Sequence, residues 1–210
     1  MKKEKPSRKE RDYLRHRQEI LQVALELFSQ RGFHNVSMHE IATASEFAVG
    51  TLYNFFSNKE DLYRALMLEA SNIFHSSLMA ALAMPGNEFE KIKACVDAKI
   101  KVFMDNLDYV RLYMAETQGI SFNVKAGLNP EIIDRYEKFL KQLARVFENG
   151  IKKRLFKKLD PYLLAVALNG ISNALLFQHI EHPGAYPFDA DLIINIFFHQ
   201  VYEKGEISDE

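Results

Sequence analysis

The stretch Val49-Gly50-Thr51-Leu52-Tyr53-Asn54-Phe55-Phe56, preceded by Ser37-Met38-His39-Glu40-Ile41-Ala42 and followed by Asn58-Lys59-Glu60-Asp61-Leu62, decides the fold. Ser37 and Glu40 form a capping-box pattern, so a helix starts at Met38. It has room for about two turns, to Ala44, before a second short helix runs from Val49 to Phe56. Upstream, Ile20, Val23, Ala24, Leu27 and Phe28 recur at helical spacing, and Gly32 stops that longer helix. Two short helices joined by a tight turn behind a longer one are the layout of a helix-turn-helix DNA reader. In that layout Ile41, Ala42 and Leu52 pack inward, Thr51 and Asn54 face a groove, and Gly50 lets backbone approach phosphate. An ordinary helical hairpin would follow the same pattern.

Working outward, every later segment also reads as helix. Leu62, Leu66, Ile73 and Leu78 stripe a long helix that ends at Pro85-Gly86. Phe89, Ile92, Val96, Ile100 and Phe103 line the next, and a shorter one covers Tyr109 to Gln118. Gly119 to Asn129 is a loop with several apolar residues. Asn129-Pro130 and Asp160-Pro161 each combine an N-cap with a first-turn proline. The last helix is expected from Asp189 to Lys204. Residues 161–180 carry no charge, but Asn169 and Asn173 near the centre would be costly in lipid, so a helix buried on all sides within protein is expected.

Composition narrows the function. Hydrophobic residues make up 48% and charged residues 26% of 210, which excludes a disordered or fibrous chain. Cys95 is the single cysteine, so neither an intrachain disulfide nor a cysteine zinc cage is available, and its apolar surroundings mark it as a core residue. The basic start is not followed directly by an apolar run with a small-residue cleavage site, so no secretory signal is expected and the chain is read as cytoplasmic. The net charge of −1 hides an asymmetry: residues 1–17 hold eight Lys/Arg against three acids, whereas residues 65–210 hold 16 against 19. A basic arm on a mildly acidic body suits contact with an anionic polymer at one end; a solvated tail has the same composition. No phosphate loop, nucleophile elbow or His-Glu-x-x-His motif is present. His179 and His182 have metal-compatible spacing but no further ligand nearby in sequence. No enzyme activity, metal or cofactor is expected.

Ile41-Ala42, the block Val49 to Phe56, Asn58-Lys59-Glu60-Asp61-Leu62 and the lead-in Ala24-Leu25-Glu26-Leu27-Phe28 with Arg31-Gly32-Phe33 together resemble the N-terminal domain of the tetracycline-repressor (TetR) family of bacterial regulators. The resemblance covers about Arg17 to Tyr63. It implies a DNA-binding set of Ser37, Val49, Gly50, Thr51, Tyr53, Asn54 and Lys59, with Thr51, Tyr53 and Lys59 chiefly on phosphates and Val49 and Asn54 varying with operator sequence. Two positions depart from the family pattern: Glu46 stands where a turn glycine is frequent and Ala48 where a serine cap is. Either the turn takes another geometry, or it holds a strained left-handed residue at about 1 kcal/mol. Val49 replaces a frequent lysine, exchanging a phosphate contact for a methyl-reading surface.

The expectation is therefore an all-α protein with residues 1–63 as N-terminal arm and helix-turn-helix domain, and residues 64–210 as a helical effector-binding and dimerisation domain. By analogy with the family it is a homodimeric repressor of a palindromic double-stranded operator, paired through the last two helices, released by a small ligand and not membrane-bound. Ligand candidates are Phe103, Tyr113, Met114, Phe122, Phe139, Phe147, Asn169, Asn173 and Phe177, apolar walls with a few polar groups. Asn169 and Asn173, four apart, are either a ligand floor or a subunit contact. No buried Lys or Arg stands among the candidates, which favours a bulky, largely apolar ligand. The rival reading is a ligand-carrying or protein-binding helical module with a vestigial helix-turn-helix.

Overall fold

The computed structural model describes residues 7–117, 129–185 and 188–198, which are helical with no strand among them. They form α1 (Arg8–Arg31), a 3₁₀ turn (Phe33–Asn35), α2 (Met38–Ala44), α3 (Val49–Phe55), α4 (Lys59–Leu82), α5 (Glu88–Met104), α6 (Leu107–Thr117), α7 (Pro130–Lys152), α8 (Pro161–Glu181) and α9 (Ala190–Phe198). The apolar loop expected at Gly119 to Asn129, with the ligand candidate Phe122, lies outside the described residues except at Asn129, as does the expected extension of α9 to Lys204. The chain divides into two compact units. The first joins residues 1–72 to 106–133, and the second joins 73–105 to 134–210. The spatial units thus take α6 into the first, although it follows α5 in sequence.

In the first unit, the basic segment is helical from Arg8 onward because Ser7 and Glu10 cap α1 reciprocally. Gly32, at φ +80°, ends α1 with its N–H on Phe28 O at 2.9 Å. The core collects Ile20, Leu21, Ala24, Leu25 and Phe28 from α1, Ile41 and Ala42 from α2, Leu52 from α3 and Leu62 and Leu66 from α4. Phe28, Phe33 and Tyr63 meet ring to ring beneath the 3₁₀ turn.

The second unit is built around Leu78, Ala81 and Leu82 of α4, Ile92, Cys95 and Val96 of α5, the inner side of α7 from Phe139 to Phe147, Ala165 and Leu168 of α8, and Ile193 and Ile194 of α9. Burial raises the Cys95 thiol to about 12, which makes it an inert core group. Two sequence expectations fail here. The buried side of α5 runs Ile92, Cys95, Val96, Lys99, Val102 and leaves Phe89 40% exposed, so the helix is rotated from the all-apolar stripe and carries a lysine inward. Helix α8, long and apolar enough to cross a membrane, is buried only along Ala165, Leu168, Asn169, Ser172 and Leu176. Leu163 (66%) and Val166 (39%) stay exposed, so the rest of this chain does not surround the helix.

Candidate nucleic-acid interface

The helix-turn-helix is assembled by backbone chemistry that the sequence encodes at Ser37 and Glu46. The Ser37 side chain accepts from the Glu40 N–H, and the Glu40 carboxylate takes the Ser37 N–H and an Arg31 N–H at 2.8 and 2.7 Å. The Ser37 hydrogen bond, then the Arg31 contact, hold the Glu40 carboxyl down to about 2. Ser37 therefore serves as the cap of α2 while remaining on the exposed surface. At the other end of α2, Phe47 N–H donates to Ala42 O at 2.9 Å and Glu46 N–H to Thr43 O at 3.2 Å. That pair is a Schellman closure, which places its C′ residue in the left-handed region. Glu46 occupies it at φ +60°, so the turn keeps the geometry a glycine would take and carries the strain. Ala48 caps α3 with no side-chain hydrogen bond.

Of the sequence candidates on α3, Leu52 is wholly buried, Gly50, Tyr53 and Asn54 are exposed, and Val49 and Thr51 are half-buried. A Cβ at Gly50 would meet no atom within 4 Å, so backbone is open to close approach there. A groove of about 590 Å³ runs over this surface, lined by Ser37, Val49, Tyr53 and Lys59, and by His34, His39 and Asn58, which sequence reasoning left out. Their signal was present only as polar residues flanking the two caps.

Lys59 is placed differently from a free phosphate contact. Its Nζ donates to Phe33 O and Val36 O, both at 2.9 Å, and lies 4.5 Å from the Phe33 ring centroid. The ammonium ties the start of α4 to the connector that leads into α2. Charge-assisted bonds of this kind are stronger than neutral ones and fix geometry. Lys59 borders the groove while holding its floor.

Residues 20–66 match the family model described as bacterial regulatory proteins, tetR family. The N-terminal segment is thus similar to the DNA-binding domain of that family. That family is one of transcriptional regulators, and it matches the stretch that folds as the helix-turn-helix. A curated relative, the uncharacterized HTH-type transcriptional regulator YhgD of Bacillus subtilis, is 26% identical over 193 residues, covering 84% of this chain and 90% of that one. Among solved structures, the fatty acid degradation regulator FadR from Bacillus halodurans shares the fold at TM-score 0.70 and 21% identity, covering 87% of this chain and 93% of that one. AibR, solved in complex with isovaleryl coenzyme A and operator DNA, superposes at TM-score 0.66 and 23% identity, covering 86% and 94%.

The ligand candidates divide between the units. Tyr113 and Met114, both half-buried on α6, belong to the first; Phe103, Phe139, Phe147, Asn169, Asn173 and Phe177 belong to the second. Phe147 is fully buried in a ring cluster with Phe156, Phe197 and Phe198. Asn169, 6% exposed, is engaged on both sides of its amide: Oδ1 accepts from Lys99 Nζ at 2.7 Å, and Nδ2 donates to the Tyr136 hydroxyl at 3.0 Å. The premise that no buried cation stands near the ligand candidates is thereby overturned. An α5 stripe through Phe89, Ile100 and Phe103 leaves Lys99 off the inward face. The spacing 92, 95, 99, 102 would have shown it.

Proposed function

We propose that this chain is a TetR-family regulator, a cytoplasmic homodimeric repressor that leaves a palindromic operator when a small, largely apolar ligand binds its C-terminal unit. The observation carrying the DNA half is the outward face of α3, where Gly50, Tyr53 and Asn54 stand exposed on the family's own motif. Residues 1–63 are the proposed reader and 64–210 the proposed effector and dimer domain. Tyr53 and Lys59 are assigned to phosphates, Val49 and Asn54 to base edges, and Thr51 to either by hydroxyl or methyl. Ser37 and Gly50 complete the contact surface. The exposed apolar residues Leu163 and Val166 of α8 and Ile196 of α9 support pairing with a second copy. A four-helix contact of about 1,600 Å² is a standard size for such a face. For the ligand, FadR is described as a fatty acid degradation regulator and AibR is solved with isovaleryl coenzyme A, and an acyl compound suits the aromatic side chains and few polar groups among the candidates of the second unit. Helix α4 continues from one unit into the other and is the proposed lever, coupling ligand to operator by about 1–3 kcal/mol in both directions.

Selection from a randomised duplex library with the full chain, at two salt concentrations, tests the reading. A two-fold-symmetric consensus is expected, and Asn54→Ala should relax one position in each half-site by about 1–3 kcal/mol. Binding without sequence preference would favour the helical module with a vestigial reader.

A further inference from the structure

The second unit buries one cation with no opposite charge. Lys99 is 4% exposed, yet among the described residues no carboxylate pairs with it. Two of its N–H groups go to the same residue, Asn169, at Oδ1 (2.7 Å) and backbone O (3.3 Å). The Phe103 ring centroid lies 5.8 Å from Nζ. The third N–H has no partner among the described residues. The other buried charge of this unit, Glu88, is by contrast matched by Lys153 at 2.6 Å. Buried ammonium groups are ordinarily paired, because desolvation penalises the bare charge heavily. Here burial lowers Lys99 to about 7, so charge is held only weakly until something supplies an anion. The surroundings are polar enough to orient a ligand: Asn169 is fixed by Tyr136, and Phe103 is half-buried and stacks on half-buried Phe74 with centroids 4.9 Å apart.

We infer that Lys99, oriented by Asn169 and Tyr136, is the anion subsite of the effector pocket, and that the effector is an apolar body ending in a single carboxylate. The inference rests on the ligand-responsive reading above and specifies its chemistry. One ammonium with one uncommitted N–H matches a monoanion. A phosphate dianion would leave a charge uncompensated, since Lys99 is the sole buried Lys or Arg among the described residues. The apolar body would lie along the aromatic side chains on the Phe103 side.

The test is calorimetric titration of the full chain with decanoate and with decanol, which differ only in the end group. Wild type should bind decanoate at least tenfold more tightly than decanol. Lys99→Met should bring the two within twofold, chiefly by weakening decanoate. Asn169→Asp provides a second variant that keeps the lysine: its carboxylate neutralises the ammonium from within and should also remove the preference for acid. Equal binding of the two probes by wild type, a preference surviving in either variant, or binding of neither probe would each overturn the subsite. Operator titration in the same samples separates the two levels of the proposal. Decanoate that binds through Lys99 yet leaves the operator in place upholds the subsite and breaks the release mechanism.

Discussion

Each unit of this protein holds a lysine by neutral oxygens, and the two lysines have become different devices. Lys59, half-exposed, spans the carbonyls of Phe33 and Val36 and so braces the α1–α2 connector against the start of α4. Lys99, wholly enclosed, has a single side chain and its backbone carbonyl as partners. The same ammonium is a cross-link where water reaches it and an unmatched charge where water does not. Solvent access, more than residue type, sets the role.

The largest effect that sharpens this comparison is the pH dependence of Lys99. Burial lowers its value from 10.5 to about 7, so between those limits the unfolded chain holds a proton that the folded chain has released. Stability therefore rises with pH across that window and gains nothing from this group below it, a difference of several kcal/mol in all at about 1.4 kcal/mol per pKa unit. Urea denaturation at pH 7, 8.5 and 10 should show this rise in wild type, and Lys99→Met should lack it. Parallel curves for the two proteins would place Lys99 beside an anion already present in the fold and end the contrast with Lys59.

Next in size is Lys59→Met. Removing the donor to two carbonyls should destabilise the reader by about 1–2 kcal/mol, the lower part of the range for charged hydrogen bonds because the site is partly wet. Affinity for all DNA sequences should fall together. Tyr53→Ala, at a side chain 50% exposed, should weaken DNA binding with no change in denaturation midpoint. A Lys59 variant of unchanged stability and a reduced salt slope would make this lysine a pure phosphate contact. The smallest expected effect is at the turn. Glu46→Gly relieves a left-handed glutamate at φ +60° and should stabilise the protein by about 0.5–1 kcal/mol, read as a raised denaturation midpoint. A lower midpoint would mean that the glutamate side chain contributes more than its backbone strain costs.

How much was legible beforehand follows the range of the interactions involved. The helix-turn-helix could be read because its determinants are local: Ser37 and Glu40 sit three apart, Gly32 closes α1, and Ile41, Ala42 and Leu52 point inward by helical period alone. The departure at Glu46 was visible too, as a choice between two geometries. Choosing between them took the bonds from Phe47 to Ala42 and from Glu46 to Thr43, since a backbone angle is not written in a side chain. The second unit was less readable. Its helices were found, but which side of each faces inward depends on neighbours far along the chain. Lys99 meets Asn169 across 70 positions, and α5 is turned toward the core by that meeting as well as by Ile92 and Val96. Local caps, breakers and apolar period, all written in the sequence, determined that this protein is a chain of helices headed by a DNA reader. Only the tertiary structure decided that Lys59 braces the reader and that Lys99 lies unmatched in the second unit. Burial and partner geometry arise from long-range packing, and they set what a charged group does.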